Sequence, residues 1–191
     1  MPRRGSLAGP DGHRFDPEAI RREAARALDD YGLLVIPGLE LSDNYEEPEL
    51  AAHALALGLS EYVSVDAGIV ATLEHANDLR AALVAAHPYT PRDVMPLRST
   101  TRIAHEPDTF RPLVQRYELF NRDEVFTWVA EAGLPAVASG DVHRAEHVAS
   151  WKTLLPCEKD ATAVVDYLRS RGRTFLMPYA PERRMALSLA A

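Results

Sequence analysis

Three short runs in this chain are small or apolar from end to end instead of alternating: Leu33–Ile36, Ala81–Ala86 and Gly133–Ala138. Continuous apolar runs of this length suit strands buried on both faces, which means parallel strands covered by helices. Helical patterns separate them, at residues 16–30, 67–77, 109–115, 123–132 and 159–171. The first has a start signal in Asp16-Pro17-Glu18, with Asp as N-cap, Pro in the first turn and Glu at the positive helix end. Tyr31-Gly32 stops it. Further strands are expected at 116–120, 151–155 and 173–179. His53–Gly58 stays open between strand and helix, because its alanines suit both. Residues 42–50 and 90–106 read as loops. Strands alternating with helices predict an α/β fold. We expect a flexible lead-in over residues 1–15, one α/β domain over 16–179 and a tail over 180–191.

At 191 residues and 47% hydrophobic content the chain can build one domain with a real core. Its net charge of -7 argues against broad electrostatic binding of nucleic acid. The single cysteine, Cys157, allows no internal disulfide and suits a cytoplasmic setting. No apolar run approaches the roughly 20 residues a membrane helix needs. The N-terminal residues carry charge without the apolar core of a signal peptide.

What gives the apolar runs chemical interest is how they end. The run to Ala138 leads into Ser139-Gly140-Asp141-Val142-His143. In an extended backbone residues i and i+2 face the same side, so Asp141 and His143 would aim at one point. Carboxylate oxygen plus imidazole nitrogen is a ligand pair for zinc, manganese or iron. Other strand ends carry similar groups: Glu40 after Pro37-Gly38, His87 after Ala81–Ala86, and Glu118 within Arg116–Phe120, while His53 opens a further segment. In α/β sheets functional groups gather at the carboxyl ends of strands. Convergent ligands there could hold two or three divalent ions, which suits displacement at phosphorus. Each residue also has an ordinary role available. Glu40 could be a solvated loop carboxylate, His87 a strand cap, Glu118 half of a buried salt bridge and His53 a core or surface histidine. Asn121 to Asp123 could cap the following helix. His75, His105 and His147 read as ordinary surface residues. Lys152, Arg144 and Arg122 could grip phosphate or be plain surface charges.

Five segments in order, Val35-Ile-Pro-Gly-Leu-Glu40-Leu-Ser42, His53-Ala-Leu-Ala-Leu-Gly58, Ala85-Ala-His87-Pro-Tyr89, Tyr117-Glu118-Leu-Phe-Asn121 and Ala138-Ser-Gly-Asp141-Val-His143, resemble the PHP (polymerase and histidinol phosphatase) family. The resemblance spans about residues 30–179. It implies a distorted (β/α)7 barrel with a two- or three-metal site at the strand ends and metal-dependent phosphoester hydrolysis. By position it implies Glu40, His87, Asp141 and His143 as metal ligands, with His53, Glu118 and Asn121 at less constant positions. The family opens with a strand bearing His-x-His, and this sequence contains no His-x-His. Asp11-Gly12-His13 matches the family's next motif, making His13 a further ligand candidate. On this reading the barrel is truncated at its N-terminus, and its open edge favours a homo-oligomer.

The function expected from sequence is therefore hydrolysis of a small phosphorylated substrate. Asp141 and His143 sit at the catalytic centre, and Lys152, Arg144 and Arg122 contact the phosphate. The rival is a non-catalytic domain that keeps the fold and a partial metal site. A nucleic-acid nuclease is disfavoured by the acidic charge and the lack of interleaved aromatic and basic residues.

Overall fold

The computed structural model describes residues 17–92, 100–122, 124–148 and 150–178. His13, Asp16, Asp123 and the segments 1–15 and 180–191 lie outside the described residues. Six strands form one mixed sheet: β1 (Gly38–Asp43), β2 (Ala52–Leu57), β3 (Ala82–Ala85), β4 (Arg116–Asn121), β5 (Glu124–Val125) and β6 (Ala136–Ser139). The order runs β1-β2-β3-β4-β5, with β6 also on β4. β3, β4 and β6 are parallel, whereas β1, β2 and β5 pair antiparallel to their neighbours. A separate antiparallel ribbon joins β7 (Trp151–Leu154) to β8 (Phe175–Pro178). Threonine side chains tie this ribbon to β6. Thr153 Oγ1 accepts from Ala138 N and donates to Ala138 O, and Thr174 Oγ1 donates to Ala136 O.

The α/β class holds, but among the described residues the sheet does not close into a (β/α)7 barrel. β1 pairs with β2 alone. The strand expected at Leu33–Ile36 is also displaced. Those residues form no strand, and Leu33 and Val35 are 57% and 38% exposed. The ladder starts at Gly38, opposite Leu57. β1 is antiparallel, with Leu41 and Asp43 buried on one face and Glu40 exposed on the other. Such a strand alternates, so a search for continuous apolar runs passes over it. β2 resolves the open reading of His53–Gly58. Ala52, Ala54 and Ala56 are fully buried, while His53, Leu55 and Leu57 face the other side half-buried.

The small alanines of β2 let helix α2 (Ile69–Asp78) lie close on the sheet. Its Ile69, Thr72, Leu73 and Ala76 are buried at helical spacing. Each fully buried leucine or isoleucine here contributes about 1.5–3 kcal/mol. The buried Asp43 carboxylate accepts the Ile69 N–H at 3.0 Å, placing an anion at the positive end of α2. This side of the sheet also holds Ile103 of α3 (Arg102–His105), Phe110 of α4 (Pro107–Phe110) and Val129 of α5 (Thr127–Glu131). The helix expected over 109–115 is thus moved toward the N-terminus. The one expected over 123–132 is shortened, because Glu124–Val125 turns back to pair with β4. The opposite face packs Ala82, Val84 and Val137 against Leu168 of α6 (Ala161–Arg169). α6 is N-capped by Asp160, whose carboxylate accepts from Ala163 N. α1 (Pro17–Tyr31) ends as expected at Gly32, whose φ of +60° permits the left-handed turn.

Topology decides what meets what. β1, β3, β4 and β6 all run in one direction, and β2 runs against them. The carboxyl ends of four strands therefore share a sheet edge with the amino end of β2.

Candidate metal centre

Glu40, His53 and His87 meet at that edge. Glu40 and His53 project from the face of β1 and β2 opposite the buried Leu41 and Ala52, as a diagonal pair two register positions apart, Glu40 facing Leu55 and His53 facing Ser42. His87 lies just past β3, and Ala86 N bonds to His53 O at 3.0 Å, locking the two segments together. His53 Nδ1 is 2.9 Å from Glu40 Oε1 and 2.8 Å from His87 Nε2, and His87 Nε2 is 3.8 Å from Glu40 Oε1. Among the described residues this is the group of three or more His, Cys, Asp or Glu side chains placed to hold one ion. Two imidazoles and a carboxylate form the donor set of catalytic zinc sites that keep a fourth position open. With zinc–nitrogen bonds of about 2.0–2.1 Å, tetrahedral ligand atoms lie about 3.3 Å apart. The three observed separations bracket that value, so the residues fit a divalent ion.

The backbone at His87 is strained, with φ at +31°. Such a residue costs about 1–3 kcal/mol and persists only where its surroundings over-determine it. They do here. His87 N donates to Glu118 Oε2 at 2.6 Å, and His87 O accepts from Thr100 Oγ1 at 2.8 Å. Burial, reinforced by the neighbouring His53, pushes the His87 ring down to about 4, so it is neutral and its nitrogen is free to ligate at pH 7. Close contact with the His53 ring holds the Glu40 carboxyl below its ordinary range, against an opposing effect of burial.

The depressed His87 value has a consequence for stability. Unfolded His87 takes up a proton near pH 6.5, but the folded ring resists until about pH 4. Between these values the unfolded state binds more protons, so stability falls as pH falls. The lowered Glu40 acts in the same direction at the acid end, while Glu118, raised by burial, acts oppositely. In chelator, urea unfolding at pH 7 and pH 4.5 should differ by about 2–3 kcal/mol from His87 alone. His87→Asn should flatten this acid limb; an unchanged limb would refute the assignment.

Asp141 and His143 come together, but outside the triad. His143 Nε2 is 2.8 Å from Asp141 Oδ1, and Arg122 Nη2 donates to Asp141 Oδ2. The extended i, i+2 geometry expected from sequence is replaced by a turn, with Asp141 at φ +39° and Arg122 at φ +51°. His143 is 70% exposed. Asp141 still acts electrostatically on both His87 and Glu118.

Glu118 lies between the two groups, fully buried. Its Oε1 accepts from Ser139 Oγ, and its Oε2 accepts from His87 N and from Asn121 Nδ2 at 2.8 Å. The structure thus places this carboxylate as the tie between β3, β4 and β6. Asn121 serves Glu118, not a following helix, since α5 starts six residues later. Arg144 is exposed, and Lys152 donates to the carbonyls of Val148 and Ser150 at 2.6 and 3.2 Å.

Three contributors escaped the sequence reading. Ser139 holds Glu118. His147 is half-buried, and its Nδ1 accepts the His143 N–H at 3.1 Å. Asn44 Oδ1 lies 2.9 Å from His53 Nε2. The alternation of Gly38–Asp43 would have shown Asn44 directly after a strand; the other two carry no sequence signal.

Among solved structures, the fold is similar to a two-domain protein from Bacteroides vulgatus ATCC 8482, described as containing a predicted PHP-like metal-dependent phosphoesterase. The TM-score is 0.63 at 16% identity, covering 86% of this chain and 50% of that one. The chain therefore spans about half the length of that protein. At this identity the likeness establishes a shared fold. No family model matches the chain, and no curated protein matches it significantly.

Proposed function

We propose that the chain is a metal-dependent hydrolase of the PHP phosphoesterase type, acting on a small phosphorylated molecule. The convergence of Glu40 Oε1, His53 Nδ1 and His87 Nε2 carries this reading, and the shared fold supports it. A divalent ion held by these three would polarise a phosphoryl oxygen and acidify water. Neutral His87 offers its lone pair without first losing a proton. Glu118 holds the His87 backbone in its strained turn. Asp141 and His143 stand ready at the neighbouring strand end to move a proton or to hold a second ion. Arg122, and the exposed Arg144 beyond it, supply positive charge for the phosphate, Arg122 by exchanging its bond to Asp141. Lys152 is a further cation on this side, currently turned to main-chain carbonyls.

The pairing of Asp141 with Arg122 favours a second reading, a domain that binds one ion at the triad and does not turn over. One experiment separates the two. The full chain is freed of metal, titrated with zinc or manganese, and assayed with p-nitrophenyl phosphate. We expect saturable binding with hydrolysis that rises in step with occupancy and disappears in chelator. Binding without hydrolysis would support the second reading. No binding by folded protein would refute both.

A further inference from the structure

The triad's geometry raises a question of proton placement. Asn44 Oδ1 carries only lone pairs, so His53 Nε2, 2.9 Å away, must be the donor. That leaves His53 Nδ1 a lone-pair atom, 2.9 Å from Glu40 Oε1 and 2.8 Å from His87 Nε2. Three heteroatoms held this close need a proton, such as one on His87 Nε2, or a cation among them. The choice of which His53 nitrogen carries hydrogen is thus made from outside the triad.

The geometry points to Asn44 as a positioning residue that holds a proton on His53 Nε2 and so dedicates Nδ1 to metal ligation. Asn44 touches neither ion nor substrate; it acts through His53. Its place follows from the chain path. β1 ends at Asp43, whose buried carboxylate is fixed to the amino end of α2 by its bond to Ile69 N. The next residue is therefore presented from an anchored backbone position beside the start of β2. Outer partners that orient a ligating histidine raise its basicity and fix its ring, and losing one typically weakens metal binding 10–100-fold. An Nδ1–H tautomer would put hydrogen where the ion must bind.

The role assigned to Nδ1 rests on the metal reading above, but the tautomer can be read without metal. In metal-free protein at alkaline pH, nitrogen-15 NMR should show His53 with hydrogen on Nε2. In Asn44→Leu, similar in size but without an acceptor, the Nδ1–H form should become substantially populated. Zinc affinity by calorimetry should fall about 10–100-fold in Asn44→Leu and recover largely in Asn44→Asp, which keeps the acceptor oxygen. Asn44→Ala serves if the leucine variant fails to fold. A wild-type His53 with hydrogen on Nδ1, or a leucine or alanine variant that binds zinc within twofold of wild type, would overturn the inference. If no variant, wild type included, binds zinc while the tautomer behaves as expected, the metal reading fails and the assignment of the proton stands.

Discussion

Replacing His87 with alanine is expected to abolish stoichiometric zinc binding and to lower kcat/KM for p-nitrophenyl phosphate by about a thousandfold, equivalent to roughly 4 kcal/mol of transition-state stabilisation. The effect should be this large because His87 combines three properties. Its Nε2 is one of the three donors that converge among the described residues, its ring stays neutral to about pH 4, and its backbone is pinned on both sides. Two remaining donors, His53 and Glu40, make a much weaker site. His53→Ala should behave alike, whereas His75→Ala, on an exposed ring, should change neither quantity. Circular dichroism controls for folding. A folded His87→Ala variant with more than a tenth of wild-type activity would remove His87 from the site.

The sequence reading and the structure part at identifiable places. Continuous apolar runs located β3 and β6 because those strands are covered on both faces, and the strand ends after them delivered His87 and Asp141. β1 was misplaced by about five residues, since an antiparallel strand with one polar face carries its signal in alternation. Glu40 was nonetheless singled out, but as a group beyond a strand end, when it stands inside β1. That shift hid Asn44, which looked like part of an acidic loop. His53 was left undecided because alanine-rich β2 has no local signature; the tight approach of α2 explains its alanines only in three dimensions. Asp141 and His143 were expected to join Glu40 and His87 around a two- or three-metal site. The positive φ at Asp141 and the ion pair with Arg122 turn them into a group of their own, and neither feature can be read from residue spacing.

A second large effect is expected at Arg116, which contributes to no proposed chemistry. Arg116 is 1% exposed, and its guanidinium donates to three main-chain carbonyls: Leu168 at 3.0 Å, Gly172 at 2.7 Å and Tyr167 at 3.1 Å. Tyr167 and Leu168 lie in the last turn of α6, where helix acceptors lack partners and a cation opposes the dipole, and Gly172 lies in the turn just beyond it. Burial lowers the arginine's proton affinity, but the group stays charged. Arg116→Met fills similar volume and strands the Leu168 and Gly172 carbonyls, each worth about 1–3 kcal/mol when left unmade, while Tyr167 O keeps its bond from Ser170 Oγ. With partial compensation by water, we expect a loss of about 3–5 kcal/mol in urea unfolding and a Tm about 10 °C lower. Arg116→Lys should recover little, since a single ammonium cannot span the three carbonyls. A loss below 1 kcal/mol for Arg116→Met would show that α6 closes without this cation.

The central claim is that one divalent ion sits among Glu40, His53 and His87. Anomalous diffraction at the zinc edge, from crystals of the full chain grown with zinc, tests it most directly. The account predicts a peak about 2.0–2.2 Å from Glu40 Oε1, His53 Nδ1 and His87 Nε2. A zinc-saturated crystal whose peak lies on other residues, with this triad bare, would contradict it.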